Sequence, residues 1–340
     1  MQQTISVIRT DHIRSNAEYF ASLAPTQKLC AVVKADAYGH GAASVAQALR
    51  PTADVFAVAL VDEGVQLRHA GTDKDILVLT PPLCEEEVLR GGLEDLIFTV
   101  GDARDYALLK KVSLKYGIAV RCHLKIDTGM NRYGFTRDSL LRFLKGTFCE
   151  NVGVEGIFSH YCAPEKRDVR EKQLALFLKC CENATYAFGP LVRHISATGG
   201  TLSGAENHLD MVRIGIGLYG YLPQGFSLPQ GTLKPAMRVY AQAVCSRSFP
   251  RGYAGYGIMP APEKLSVLRT GYGDGFFRKG GICNVNNLCM DAALLPVLLK
   301  KYAYVCVFSD AERYAAENGT ISYEALCRVG SRSEKIYVEG

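Results

Sequence analysis

Cys30-Ala31-Val32-Val33-Lys34-Ala35-Asp36-Ala37-Tyr38-Gly39-His40-Gly41-Ala42 is the stretch on which the reading of the fold turns. Ala31-Val32-Val33 is wholly apolar, as expected of a strand buried on both faces. Gly39-His40-Gly41 then breaks the chain and opens an amphipathic helix over Ala42–Leu49. A strand feeding a helix through a tight turn is one βα unit, and the chain repeats it. Strand-like runs recur at Leu29–Ala35, Asp54–Leu60, Asp75–Thr80, Asp95–Val100, Val120–Asp127, Gly153–His160, Val192–Thr198 and Val212–Leu218. Helical stretches such as Ala103–Tyr116, Ser139–Lys145 and Lys172–Tyr186 lie between them. Eight such units predict an α/β fold with an N-terminal (β/α)8 barrel. A doubly wound open sheet shares the alternation, but no GxGxxG follows the first strand.

Beyond Gly231 the pattern changes to strands with little helix between them: Met237–Ser246, Leu265–Thr270, Tyr304–Phe308 and Glu334–Val338. The expected organisation is a barrel over residues 1–231 and a smaller β-rich domain over 232–340. Their boundary lies in the Pro/Gln/Gly-rich stretch from Leu222 to Pro235.

The composition bounds the partners. The 340-residue chain is 48% hydrophobic and 21% charged, with a net charge of +5 and no clustered basic face. That argues against a nucleic-acid partner and leaves small anionic ligands open. No apolar run approaches the length of a membrane span, and Met1 to Asn16 is mixed and polar without an export signal. The twelve scattered cysteines then read as reduced thiols of a cytoplasmic protein. They form no CxxC pair, and His160 with Cys162 has no second ligand pair nearby, so no metal site is expected.

Barrel chemistry sits at the C-terminal ends of strands, with phosphates often bound after strands seven and eight. Lys34 leaves the first strand where partial desolvation would disfavour its charge and allow it to act as a nucleophile. A solvated lysine ending a strand gives the same local pattern. Strand seven ends in Ala197-Thr198-Gly199-Gly200, and strand eight carries Arg213-Ile214-Gly215-Ile216-Gly217. Glycines there let backbone N–H groups approach a phosphate, although tight turns use them equally.

The Lys34 segment closely resembles the pyridoxal-phosphate attachment segment of the alanine racemase family. So, in order, do His123-Leu124-Lys125-Ile126-Asp127-Thr128-Gly129-Met130-Asn131-Arg132, the Arg213 string, Gly255-Tyr256-Gly257, Gly271-Tyr272-Gly273-Asp274-Gly275, Cys289-Met290-Asp291 and Arg332-Ser333-Glu334-Lys335-Ile336-Tyr337. The likeness runs from about Val7 to Val338. It implies that Lys34 attaches pyridoxal 5'-phosphate and that Lys34 and Tyr256 are the two catalytic bases. A tyrosine's ordinary pKa near 10 requires support from neighbours, and the resemblance supplies His160 and Arg213. It sets Arg213 against the pyridine nitrogen, and Tyr38, Thr198, Gly215, Ile216 and Tyr337 around the phosphate. Arg132 falls near the cofactor's phenolic oxygen and the substrate carboxylate, with Tyr272, Met290 and Asp291 at the substrate. Lys125 matches a lysine that is carbamylated in some members, and a plain barrel lysine remains the alternative. A head-to-tail homodimer is implied, each Tyr256 serving the other chain's Lys34.

Three departures stand out, besides Asn131 where glycine is more usual. Ala197 replaces the usual asparagine, Gly273 replaces an alanine, and only Phe276–Leu288 separates Asp-Gly from Cys-Met-Asp. The shortening bears on the substrate entrance and the dimer surface. The expected activity is interconversion of L- and D-alanine for peptidoglycan. Racemisation of serine or a broader set is the alternative, since a small pocket rejects one added hydroxyl poorly. Arg132 holding the carboxylate argues against decarboxylation, and the β-domain with Tyr256 against a non-catalytic pyridoxal-phosphate carrier or regulator.

Overall fold

The computed structural model describes residues 4–248, 252–256, 263–278 and 288–340. Strand β1 (Thr4–Arg9) is followed by eight parallel strands. They are β2 (Lys28–Val32), β3 (Val55–Val58), β4 (Asp75–Val78), β5 (Leu96–Val100), β6 (Val120–Lys125), β7 (Val152–Phe158), β8 (Val192–His194) and β9 (Met211–Ile214). Each pairs with the next up to β8, and β9 returns beside β2 with Lys28 opposite Met211 and Ala31 opposite Ile214. Bonds from Arg213 N to Ser196 O (3.0 Å) and Asp210 N to Arg193 O (3.0 Å) bring β9 against the β8 segment. The eight strands therefore form a nearly closed barrel, and the open-sheet alternative is set aside.

The reason is visible in burial. All of Val55–Val58 and Leu96–Val100 is inside, because the barrel core covers one face and helices cover the other. Such strands lose the alternation of half-exposed ones and read as continuous Val, Ile, Leu and Phe. Covering helices include Ala42–Leu49, Val61–His69, Glu85–Leu93, Ala103–Tyr116, Arg137–Phe143 and Arg167–Phe188. Helix Thr10–Leu23 is tied down by the buried Asn16, whose amide donates to Leu218 O and Lys234 O and accepts from Lys234 N.

The second sheet has six strands. β10 (Met237–Ser248), β11 (Lys264–Leu268), β12 (Ala293–Leu295), β13 (Tyr304–Phe308) and β14 (Glu334–Val338) join β1 in the order β12-β11-β10-β1-β14, with β13 also on β10. β1 runs antiparallel to β10 and parallel to β14. A division at residue 231 therefore does not describe Thr4–Arg9, which lies in the second sheet. Helices Ala311–Glu317 and Ser322–Arg328 also stand between β13 and β14, where little helix was expected. Met237, Val239, Ala241 and Ala243 point into the core while their neighbours do not, the alternation of a sheet covered on one side.

Candidate active site

The β2 exit is the most unusual backbone in the molecule. Ala35, Asp36, Ala37 and Tyr38 all have φ between 52° and 54°, a full left-handed turn without a glycine. Left-handed backbone costs roughly 1–2 kcal/mol per L-residue, so neighbours must hold it. Glu63 accepts from Ala35 N (2.7 Å), Asp36 accepts from Ala42 N (2.8 Å), and Lys335 pairs with Asp36 (3.1 Å). His40 Nδ1 lies 3.0 Å from both Ala37 O and Tyr38 O, so it carries the proton there. Burial pushes His40 down to about 4, which keeps the ring neutral.

This turn fixes two expected site residues. Lys34 sits half-buried at its start. Its amine is held below the ordinary lysine range, first by burial and then by Arg132 and Arg213, against the opposing pull of Glu63. Tyr38 ends the turn with its ring against Tyr219 (4.9 Å between centroids). Its hydroxyl reaches Gly215, where a Cβ would stand 2.8 Å from the oxygen. Burial pushes this phenol up, so it stays an O–H donor.

Arg213 is buried at the centre of the barrel mouth. Its Nη2 donates to Ser159 O (2.8 Å) and Ile195 O (3.2 Å) and faces His160 Nδ1 (3.2 Å); its Nη1 donates to His194 Nδ1 (2.8 Å). A guanidinium only donates, so His160 accepts at Nδ1 and carries its proton on Nε2. Burial and then Arg213 hold His160 well below the usual histidine range. Thr198 Oγ1 lies 3.4 Å from the N–H groups of Gly215 and Gly217, at the start of the 3-10 turn Ile216–Tyr219. Thr198, Gly215, Ile216 and the Tyr38 hydroxyl thus share one end of the mouth.

Lys125, at the end of β6, is buried with its ammonium on Ile126 O (2.8 Å). Burial first, then Arg213, lowers it to about 7. Arg132 lies on the exposed loop that follows, its guanidinium 5.1 Å from the Tyr133 ring centroid. Asn131 has φ +56°, so the residue standing in for glycine is one of the few that tolerate this region. Lys34, Lys125, Arg132 and Arg213 converge here, and among the described residues none is ion-paired to a carboxylate. Four such cations with neutral hydroxyl and N–H donors suit a dianionic ligand with a carbonyl group. Among the described residues no group of histidine, cysteine and carboxylates is set to hold a metal, and no helix is long and apolar enough to cross a membrane.

The second domain contributes unevenly. Tyr337 on β14 packs over Gly41, directly behind the left-handed turn. Tyr272, Met290 and Asp291 gather around Arg332, which bonds Asp291 (2.7 Å) and Asp274 (3.2 Å), while Tyr272 N and Gly273 N donate to Cys289 O and Met290 O. Met290 is 53% exposed and Tyr256 71%. Among the described residues no hydrogen bond joins Tyr256 to Lys34, His160 or Arg213. Most of the Phe276–Leu288 segment, residues 279–287, lies outside the described residues, as does Gly257. Leu288 N donates to Arg278 O (3.0 Å), which brings the two flanks together.

Family models agree with this architecture: "Alanine racemase, N-terminal domain" matches residues 8–223 and "Alanine racemase, C-terminal domain" matches residues 236–337. The chain belongs to the alanine racemase family. It is 33% identical to alanine racemase 2 of Oceanobacillus iheyensis, over 99% of this chain and 94% of that one. The solved alanine racemase of Clostridium difficile 630 superposes with a TM-score of 0.90 at 28% identity, covering 99% and 96% of the two chains. That of Bartonella henselae, solved with covalently bound pyridoxal phosphate, gives 0.86 at 25% identity, covering 99% and 100%.

Several supporting residues escaped the sequence reading. Glu63, which bonds Ala35 N, Ala59 N and Leu60 N, carries no motif of its own. His194 and His123 were findable: His123 alternates with Lys125 on β6, so both face the barrel interior. Ala197 leaves helix Thr198–Leu202 without a side-chain cap, which an asparagine could provide.

Proposed function

We propose that the chain interconverts L- and D-alanine with pyridoxal phosphate as cofactor. The observation that carries this reading is the convergence of Lys125, Arg132 and Arg213, none ion-paired to a carboxylate among the described residues, on a half-buried Lys34 held on a strained turn. Pyridoxal phosphate bound through Lys34 supplies the electron sink that makes an amino acid's Cα–H removable. Tyr38, Thr198, the N–H groups of Gly215 and Ile216, and Tyr337 would hold its phosphate. Arg213, always a donor, would face the ring nitrogen and keep it unprotonated, limiting the sink.

Inversion needs proton removal on one face and delivery on the other. Lys34, with its amine held below the ordinary range, serves one face. Tyr256 serves the other, oriented by the Nε2–H of His160. Since Tyr256 is exposed, the partner role fits best: each copy presents it to a second copy in a head-to-tail homodimer. Arg132 binds the substrate carboxylate, and Tyr272, Met290 and Asp291 line the substrate entrance. Lys125, neutral in part near pH 7, can add carbon dioxide at its amine and release a proton; the resulting carbamate would brace Arg132. The free cysteines suit the reducing cytoplasm, where D-alanine feeds peptidoglycan.

Purified protein with pyridoxal phosphate, incubated with L-alanine and separately with L-serine, tests this by chiral chromatography. D-alanine should form and Lys34→Ala should abolish it. D-serine in excess favours the serine or broad-specificity reading. Bound cofactor with no D-product from either amino acid refutes the racemase assignment and favours a carrier.

A further inference from the structure

Arg213 carries a buried charge whose partners are two carbonyl oxygens and two imidazoles. One imidazole, His194, continues inward: its Nε2 lies 2.9 Å from His123 Nδ1. The donor pattern of this row has a single solution. Arg213 donates to His194 Nδ1, so the His194 proton is on Nε2; that proton goes to His123 Nδ1, so the His123 proton is on its own Nε2. We propose that His123 is a positioning residue that locks the tautomer of His194 and thereby aims the guanidinium of Arg213 at the cofactor site.

The surroundings are shaped for this. The Phe158 ring lies parallel to His194 at 4.9 Å, with 2° between planes. Gly156 on β7 leaves the space that His123 fills, since a Cβ there would stand 2.6 Å from the imidazole. The charged groups facing His123 are Asp75, Arg121, Arg213 and Lys28, and those facing His194 are Arg213 and Lys125. Burial dominates over all of them and keeps both rings neutral, His123 at about 3 and His194 well below the usual range. Without His123, the His194 proton could move to Nδ1 and point at Arg213, where two donors would meet.

The inference rests on the proposed placement of Arg213 against the cofactor ring, and the test separates the two. Nitrogen-15 NMR of the histidine-labelled holoenzyme should show His194 and His123 neutral, protonated at Nε2, from pH 5.5 to 9. His123→Leu should give His194 a mixed or titrating tautomer and weaken pyridoxal phosphate binding on the order of tenfold, as loss of an outer support commonly does. His123→Asn, whose carboxamide oxygen can replace Nδ1 as acceptor, should restore both within about twofold. A wild-type His194 protonated at Nδ1 overturns the inference without any variant. So does a changed tautomer in His123→Leu with unchanged cofactor affinity. If Arg213→Lys also leaves cofactor affinity and absorbance unchanged, the placement of Arg213 has failed; if Arg213→Lys changes them, only the role of His123 has.

Discussion

The barrel mouth and the outer face of the second domain treat their reactive groups in opposite ways. At the mouth, Arg213 is buried and hydrogen-bonded within one chain, with His160 among its partners, and burial lowers the Lys34 amine and His160. On the outer face, Tyr256 and Met290 stand mostly in solvent. The second domain is itself divided: β14 reaches back to the left-handed turn after β2 through Lys335 and Tyr337, whereas among the described residues no hydrogen bond joins Tyr256 to Lys34, His160 or Arg213. A chain that builds one half of a site rigidly and leaves the other half facing outward is suited to completion by a second copy.

The sharpest way to break this contrast is to remove its two ends. Lys34→Ala should lower racemisation by about 10⁴-fold or more, since on the proposed mechanism it deletes both the attachment point and one base. Tyr256→Phe should cost about 10²–10⁴-fold while leaving cofactor absorbance intact. Mixing the two inactive variants should restore part of the activity, because every mixed pair carries one intact site. If the mixture stays dead while mixed pairs are shown to form, Tyr256 serves its own chain and the contrast is only apparent.

The same contrast explains what was legible in the sequence. All eight barrel strands announced themselves, because strands buried on both faces must be continuously apolar. Ala42–Leu49 did so too, since Gly41 stops one element and the apolar periodicity starts the next. β1 did not: Thr-Ile-Ser-Val-Ile-Arg pairs with strands more than 220 residues away, and no local pattern encodes such a partner. The left-handed turn was equally hidden. Ala-Asp-Ala-Tyr carries no glycine, and the conformation is held by Glu63 and Lys335 from elsewhere in the chain together with His40 just beyond the turn. The proposed site residues were named through family motifs, but the residues that hold them were not.

Lys125 offers a test of dehydration at the mouth. Its folded value of about 7 lies below the ordinary lysine value, so between the two the unfolded chain binds more protons. Stability should therefore rise with pH from about 7 towards 10.5, by at most about 1.4 kcal/mol per pH unit from this group, and the burial penalty is fully present below pH 7. Urea midpoints at pH 7 and 9 under carbon-dioxide-free conditions, compared with Lys125→Met, isolate this slope. Equal slopes in the two proteins would mean that the amine is hydrated. Adding bicarbonate should raise wild-type activity severalfold and leave Lys125→Met unchanged if the carbamate forms.

The smallest expected effect probes the turn itself. Ala35 has φ +53° and stands next to Lys34 with its N–H on Glu63. Ala35→Gly keeps that bond, removes roughly 1–2 kcal/mol of left-handed strain and adds about 0.5–1 kcal/mol of unfolded-state entropy. The two nearly cancel, so the melting temperature should move upward by no more than a few degrees. Turnover should fall only a fewfold, because the loosened turn holds Lys34 less firmly. Ala35→Val inverts the test, since a β-branched side chain makes the same backbone less favourable. A Gly variant that loses stability as strongly as the Val variant would show that the turn is not strained, and that the alanine side chain is needed for packing.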